Sequence, residues 1–122
     1  MAGKTQVKVQ VRRVYDEPRD DDGIRVLVDR LWPRGLTKDK AALDEWCKQV
    51  APSAELRTWY RHDPELFAEF ARRYRHELEE PERAEAVAHL RELARGGVLT
   101  LLTATRQAEI SEAAVLAEVL QE

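Results

Sequence analysis

Two continuous apolar runs, Ile24 to Val28 and Val98 to Leu102, are separated by a long stretch of helical sequence. A strand that is apolar along its whole length is one covered on both faces, as in parallel sheets. Helices between such strands supply the long crossover that parallel pairing needs, where antiparallel neighbours make do with a tight turn. The second run is introduced by Gly96-Gly97. Nearer the start, Val7, Val9 and Val11 alternate with Lys8, Gln10 and Arg12, the period of a half-buried strand. The predicted fold class is therefore α/β, a small, mostly parallel sheet flanked by helices, in a single compact domain over residues 1–122. A chain of 122 residues is long enough to bury such a core without staples.

An acidic loop, Asp16 to Gly23, joins the first two strands. Leu43, Trp46, Cys47 and Val50 fall at i, i+3, i+4 and i+7, which predicts an amphipathic helix. Pro52-Ser53 stops it and starts a short second helix with Leu56, Trp59 and Tyr60 inward. Asp63-Pro64 reads as an N-cap followed by proline at the first helical position. The helix it opens puts Phe67, Phe70, Ala71, Tyr74 and Leu78 on one face, and Pro81 is predicted to end it. Another helix turns Val87, Leu90, Leu93 and Ala94 inward and closes on Gly96. The last begins near Ser111 and packs through Val115, Leu116, Val119 and Leu120.

Charge narrows the function classes. A net charge of −3 and a pI near 5.7 give the whole molecule no reason to seek nucleic acid or an anionic membrane. Arg72, Arg73 and Arg75 superficially suggest a DNA-reading helix, but Glu69, Glu77, Glu79 and Glu80 are interleaved with them, as on a solvated, ion-paired face. A lone cysteine, Cys47, rules out an internal disulfide and fits a reducing compartment. On an apolar helical stripe it reads as an inert thiol, since reactive cysteines need exposed, electropositive surroundings. No apolar run is long enough to span a bilayer. Met1 to Lys8 lacks the hydrophobic stretch of a secretion signal, which makes the cytoplasm the default expectation. His62, His76 and His89 are too scattered for a helical metal pair, and neither metal nor cofactor is expected.

In open parallel sheets, ligands bind beyond the carboxyl ends of the strands. The first apolar strand ends in Asp29-Arg30-Leu31-Trp32-Pro33-Arg34-Gly35. Arginines held on a rigid turn suit bidentate recognition of phosphate or carboxylate. Asp29 would need a raised pKa to act as a general base, and Arg30 and Arg34 beside it would work against that. It is read instead as an orienter of arginine or a hydrogen-bond acceptor for ligand. Thr103-Ala104-Thr105-Arg106 leaves the other apolar strand and offers hydroxyls and a guanidinium near a helix start. The candidate ligand-binding set is Asp29, Arg30, Trp32 and Arg34, with Lys38, Arg57, His62 and Arg106 as second contributors. An ordinary structural Asp–Arg pair beside a tryptophan would account for the same residues.

The run VLVDRLWPRGLTKDKAALDEWCKQVAPSAELRTWYRHDPELFAEFARRYRHEL, Val26 to Leu78, resembles the YeaO-like branch of the domain of unknown function 488 family. The resemblance continues through VLTLLTATR and AAVLAEVL, nearly the whole chain after Gln10. It brings no assigned activity. It marks the DRLWPRG turn, Lys38, Ala51 to Arg57 and the His62-Asp63-Pro64 turn as shared polar features. Family members resemble one another in a Tyr-Ala-Ala and a His-Asn-His segment after the last strand. Here those positions read Thr103-Ala104-Thr105 and Ile110-Ser111-Glu112, so both histidines are missing. Sulfur-transfer or phosphatase chemistry, to which longer relatives invite comparison, needs a cysteine in a strand-end loop, and none is present there. Two readings stay open. One is a site for an anionic metabolite, with or without a reaction, which requires a pocket against Arg30 and Arg34. The other is a non-catalytic module in which those arginines are paired internally and a helix face meets a protein partner or a second copy.

Overall fold

The computed structural model describes residues 8–122. Val7 of the alternating run, and residues 1–6 of the segment expected to hold no secretion signal, lie outside the described residues. Four strands, β1 (Lys8–Arg13), β2 (Ile24–Leu27), β3 (Glu45–Trp46) and β4 (Val98–Thr103), form one sheet in the order β1-β4-β2-β3. Every pairing is parallel, with Val9 and Ile24 both in register with Leu99, and Leu27 in register with Leu102 and Trp46. Alternation sends Val26, Val28, Leu99 and Leu101 into the larger core. Leu27 and Leu102 go to a smaller core on the other face, with Val14 and Ala41, under Trp32, Leu36, Leu43 and Trp46. Both faces are covered, which is why these strands read as unbroken apolar runs.

The helices are α1 (Lys38–Ala41), α2 (Ala54–Tyr60), α3 (Phe67–Glu77), α4 (Pro81–Arg95) and α5 (Glu112–Gln121). Side-chain caps start most of them. Thr37 accepts from the Lys40 N–H, Ser53 from Leu56 and Ser111 from Ala114. Asp63 accepts from the Glu65 N–H, and Pro64 opens a 3₁₀ turn that runs into α3. Each cap satisfies a backbone donor that the helix itself cannot. α5 packs on β1, β4 and α3, and α4 packs on β4 and α5.

Two expectations are corrected. Leu43 to Val50 is not a helix: it contains β3 and a 3₁₀ turn over Lys48–Val50. The open edge of β2 wins this segment. The Asp44 N–H donates to the Arg25 carbonyl at 2.9 Å and the Cys47 N–H to the Leu27 carbonyl at 2.8 Å. The Arg25 N–H in turn donates to the Asp44 carboxylate at 2.8 Å. Cys47 is nonetheless buried, and burial, with a smaller push from Glu45, raises its thiol to about 11, an inert state at neutral pH. Pro81 does not end α3, which stops at Glu77; it is the first residue of α4, where its missing N–H costs nothing.

The acidic loop also hides an ionic core. Asp22 is 1% exposed; it takes the Arg25 guanidinium at 2.5 Å and sits 2.9 Å from that of Arg12. Arg25 donates onward to the carbonyls of Ala41 and Ala42, so one cluster ties the loop to β2 and to the end of α1. Gly23 follows at φ +63°, and a Cβ there would stand 2.2 Å from the Val98 carbonyl oxygen, so no larger residue fits the entry to β2.

Candidate functional site

Because all the strands are parallel, their carboxyl ends meet along one edge of the sheet. The chain leaving β4 turns back to place α5 over β1, while the chain leaving β2 heads toward β3 on the opposite side. A crevice opens where the two paths diverge, the usual ligand position in such sheets. It holds a cavity of about 360 Å³. Tyr15 follows β1 into it, Asp29 to Arg34 follow β2, and Ala104 and Thr105 follow β4. α2 contributes Arg57 and Tyr60, the turn after it His62, α3 contributes Phe70 and α5 contributes Glu112.

The turn after β2 is anchored rather than loose. The Trp32 indole N–H donates to the Leu36 carbonyl at 2.7 Å, and that of Trp46 to the Asp29 carbonyl at 2.8 Å. The two rings meet edge to face at 5.4 Å. The Tyr15 hydroxyl donates to the Arg34 carbonyl at 2.8 Å, and Gly35 takes φ +75°. The main chain is thus held from several sides while the Arg30 and Arg34 side chains stay exposed at the cavity.

Of the predicted residues, Asp29, Arg30, Trp32, Arg34, Arg57 and His62 come together around this cavity. Lys38 does not: it lies on a shallow recess beside Trp32, Leu43 and Trp46. Arg106 is exposed and lines no part of the cavity. Its loop is also separated from α5 by a 3₁₀ turn, Ala108–Ile110, so it does not sit at the helix start. Asp29 orients neither arginine. One carboxylate oxygen accepts from the Thr103 hydroxyl at 2.9 Å and the other from the Ala104 N–H at 2.8 Å, stapling β2 to the end of β4. The structural Asp–Arg ion pair of the alternative reading is absent among the described residues, and Arg30, Arg34 and Arg57 have no salt-bridge partner there.

Glu112 was missed. It opens α5 half-buried at the cavity and shares a hydrogen bond with Asp29. Burial, then Asp29, push its carboxyl well above the usual range, against a smaller downward pull from its own backbone N–H and Arg57. The closeness of the two carboxyls acts in the same direction as burial, since adjacent carboxylates resist ionising together. Arg30, Arg34 and Arg57 outnumber Asp29 and Glu112 around the cavity, so its charged side chains sum to a positive value whether or not Glu112 is ionised. The signal in the sequence was Ser111-Glu112 itself: an acidic residue opening the helix after a strand lies at the strands' carboxyl ends.

The raised pKa has a testable sign. Above the ordinary carboxyl value near 4.5 the unfolded chain ionises Glu112 while the folded chain keeps its proton, so folding loses stability as pH rises toward the folded value. Glu112→Gln keeps a donor for Asp29 and removes this penalty. Urea unfolding should find the variant more stable than the parent at about pH 8, by about 1.4 kcal/mol for each unit separating folded and unfolded values. The two should converge near pH 4. Parallel stability curves across that range would show that the pair holds no proton.

Elsewhere, Arg72 and Arg73 both pair with Glu69, as expected of a solvated helix face. No group of three His, Cys, Asp or Glu side chains is placed to hold a metal among the described residues. No helix among them is long and apolar enough to cross a membrane.

Residues 8–122 match the family model described as the inactive DUF488-N3 subclade. An uncharacterized protein of Mycobacterium tuberculosis is 52% identical over 115 residues, 94% of this chain and 95% of that one. The uncharacterized protein YeaO of Escherichia coli is 40% identical over 115 residues, covering 94% and 98%. No solved structure matches the chain. With a family model spanning all the described residues and relatives aligned over nearly their whole length, this chain belongs to the DUF488 family, in its YeaO-like branch.

Proposed function

We propose that the chain binds an anionic small molecule, bearing phosphate or carboxylate, in the cavity at the strand ends. One observation carries this reading: Arg30, Arg34 and Arg57 line a single cavity without an acidic partner among the described residues. Several arginines elsewhere are neutralised, Arg25 by Asp22, Arg72 and Arg73 by Glu69, Arg83 by Glu80 and Arg95 by Glu92; Arg13, Arg19, Arg61, Arg91 and Arg106 form no salt bridge among the described residues either, but none of them lines this cavity. Guanidiniums left free at the mouth of a concave site are suited to bidentate capture of an anion. Binding without turnover is the form best supported. The family model is described as inactive, and Ile110 and Glu112 stand where the resemblance places histidines.

A thermal-shift series with phosphate- and carboxylate-bearing metabolites tests this. A ligand at a hundred times its dissociation constant should add about 2.7 kcal/mol of stability. Arg34→Ala should weaken binding about tenfold or more, as loss of a hydrogen bond to a charged group costs about 1.5–3 kcal/mol. The side chain is exposed and the Tyr15 bond goes to the main chain, so the fold itself is undisturbed. Shifts that survive the substitution unchanged, or none with any anion, would overturn the reading.

A further inference from the structure

The walls of the cavity say more about the ligand than its charge. Among the described residues, the large hydrophobic side chains left exposed are Tyr15 at 41% and Leu31 at 70%, and both line this cavity. Behind them Trp32, Pro33, Pro52 and Phe70 close the interior, with Pro33 and Pro52 buried. The Tyr60 ring backs this wall, stacked on Phe70 at 4.1 Å and 15°. Its hydroxyl donates to the Ile110 carbonyl at 2.6 Å, so Tyr60 adds no free donor to the lining. A bare inorganic anion would touch the arginines and leave this surface wet. A volume of about 360 Å³ lies within the range of sites that enclose whole small organic molecules, about 300–1,000 Å³.

Resting on the anion-site reading above, we propose that the ligand is an amphipathic anion: a carboxylate or phosphate monoester attached to an aromatic or aliphatic body. The acid group meets Arg30, Arg34 and Arg57 while the apolar body lies against Leu31, Trp32 and Phe70. The apolar area withdrawn from water supplies the selectivity over free phosphate and acetate.

Isothermal titration of the intact protein with six probes separates the two ideas: acetate, phenylacetate, octanoate, inorganic phosphate, phenyl phosphate and neutral benzyl alcohol. Phenylacetate or octanoate should bind at least tenfold more tightly than acetate, phenyl phosphate at least tenfold more tightly than phosphate, and benzyl alcohol more weakly than phenylacetate. Leu31→Ser, at a side chain exposed enough to spare the fold, should weaken phenylacetate several-fold and leave acetate unchanged. Acetate and phosphate matching their phenyl counterparts would overturn the amphipathic ligand and leave the anion site standing. Benzyl alcohol equalling phenylacetate, or no binding by any probe, would overturn both. Unchanged phenylacetate affinity in Leu31→Ser would remove the apolar body from this wall and overturn the proposal.

Discussion

Asp22→Ala is expected to lower folding stability by about 3–5 kcal/mol, the cost of breaking a buried ion pair from one side. The carboxylate is 1% exposed and the Arg25 side chain 7%, so removing it strands a guanidinium with little water to replace its partner. Arg12, at 21%, loses its anion as well. The Arg19 N–H, which donates to Asp22 at 2.9 Å, loses its acceptor too. Urea unfolding would read this as a lower midpoint with an unchanged slope. Burial alone would raise the Asp22 carboxyl, but the Arg19 N–H and the guanidiniums of Arg25 and Arg12 outweigh it and hold the pKa below its ordinary value of 3.8. A depressed carboxyl contributes its full stabilisation above the unfolded value and loses it as pH falls through the folded one. The gap between parent and variant should thus stay constant from about pH 5 to 8 and close only in stronger acid. A gap that shrinks between pH 5 and 7 would assign the effect to another group.

The second large effect belongs to Phe70→Ala, expected to cost about 3–5 kcal/mol. Phe70 is 2% exposed and lies between Tyr60, stacked on it at 4.1 Å, and Tyr74 at 5.7 Å. Deleting the ring removes its burial and leaves a void that the stacked neighbours cannot fill without leaving their hydrogen bonds to Ile110 and Val50. Phe70 also lines the strand-end cavity, so the variant joins the new void to an existing opening. Apolar voids of this kind bind benzene. Benzene should therefore recover part of the lost stability in Phe70→Ala and have a smaller effect on the parent. A loss below about 1 kcal/mol would mean that the aromatic stack relaxes into the space.

Much of the scaffold was legible because it rests on short-range chemistry. The strands β2 and β4 announce themselves by length and β-branching. α3 announces itself by a three-to-four residue apolar period, and Ser53, Asp63 and Ser111 by the capping that their side chains perform. Leu43 to Val50 defeated the same reasoning because its apolar spacing satisfies a helix equally well. The deciding partner, the open edge of β2, lies outside the local sequence. Asp22 looked like one more solvated acid in a polar loop. Only the fold shows that Arg12, Arg25 and the Thr100 hydroxyl converge on its side chain and carbonyl.

The candidate site divides along the same line. Asp29-Arg30-Leu31-Trp32-Pro33-Arg34-Gly35 could be placed at a strand end from sequence alone, because a parallel strand must stop before its crossover. Which way its side chains would turn could not be read there. Asp29 was near arginines in sequence, yet its carboxylate went to Thr103 and Ala104, because β4 lies beside β2 in the sheet. Lys38 and Arg106 are as basic as Arg57, and only Arg57, carried by α2, lines the cavity; Lys38 lies on a separate recess beside Trp46, and Arg106 lines no part of the cavity. Glu112 became part of the site through the packing of α5 on β1 and β4. Local propensity and periodicity determined the elements and the strand-end location. Strand order and helix packing decided which charges share a cavity and which neutralise one another, because those contacts join residues far apart in the chain.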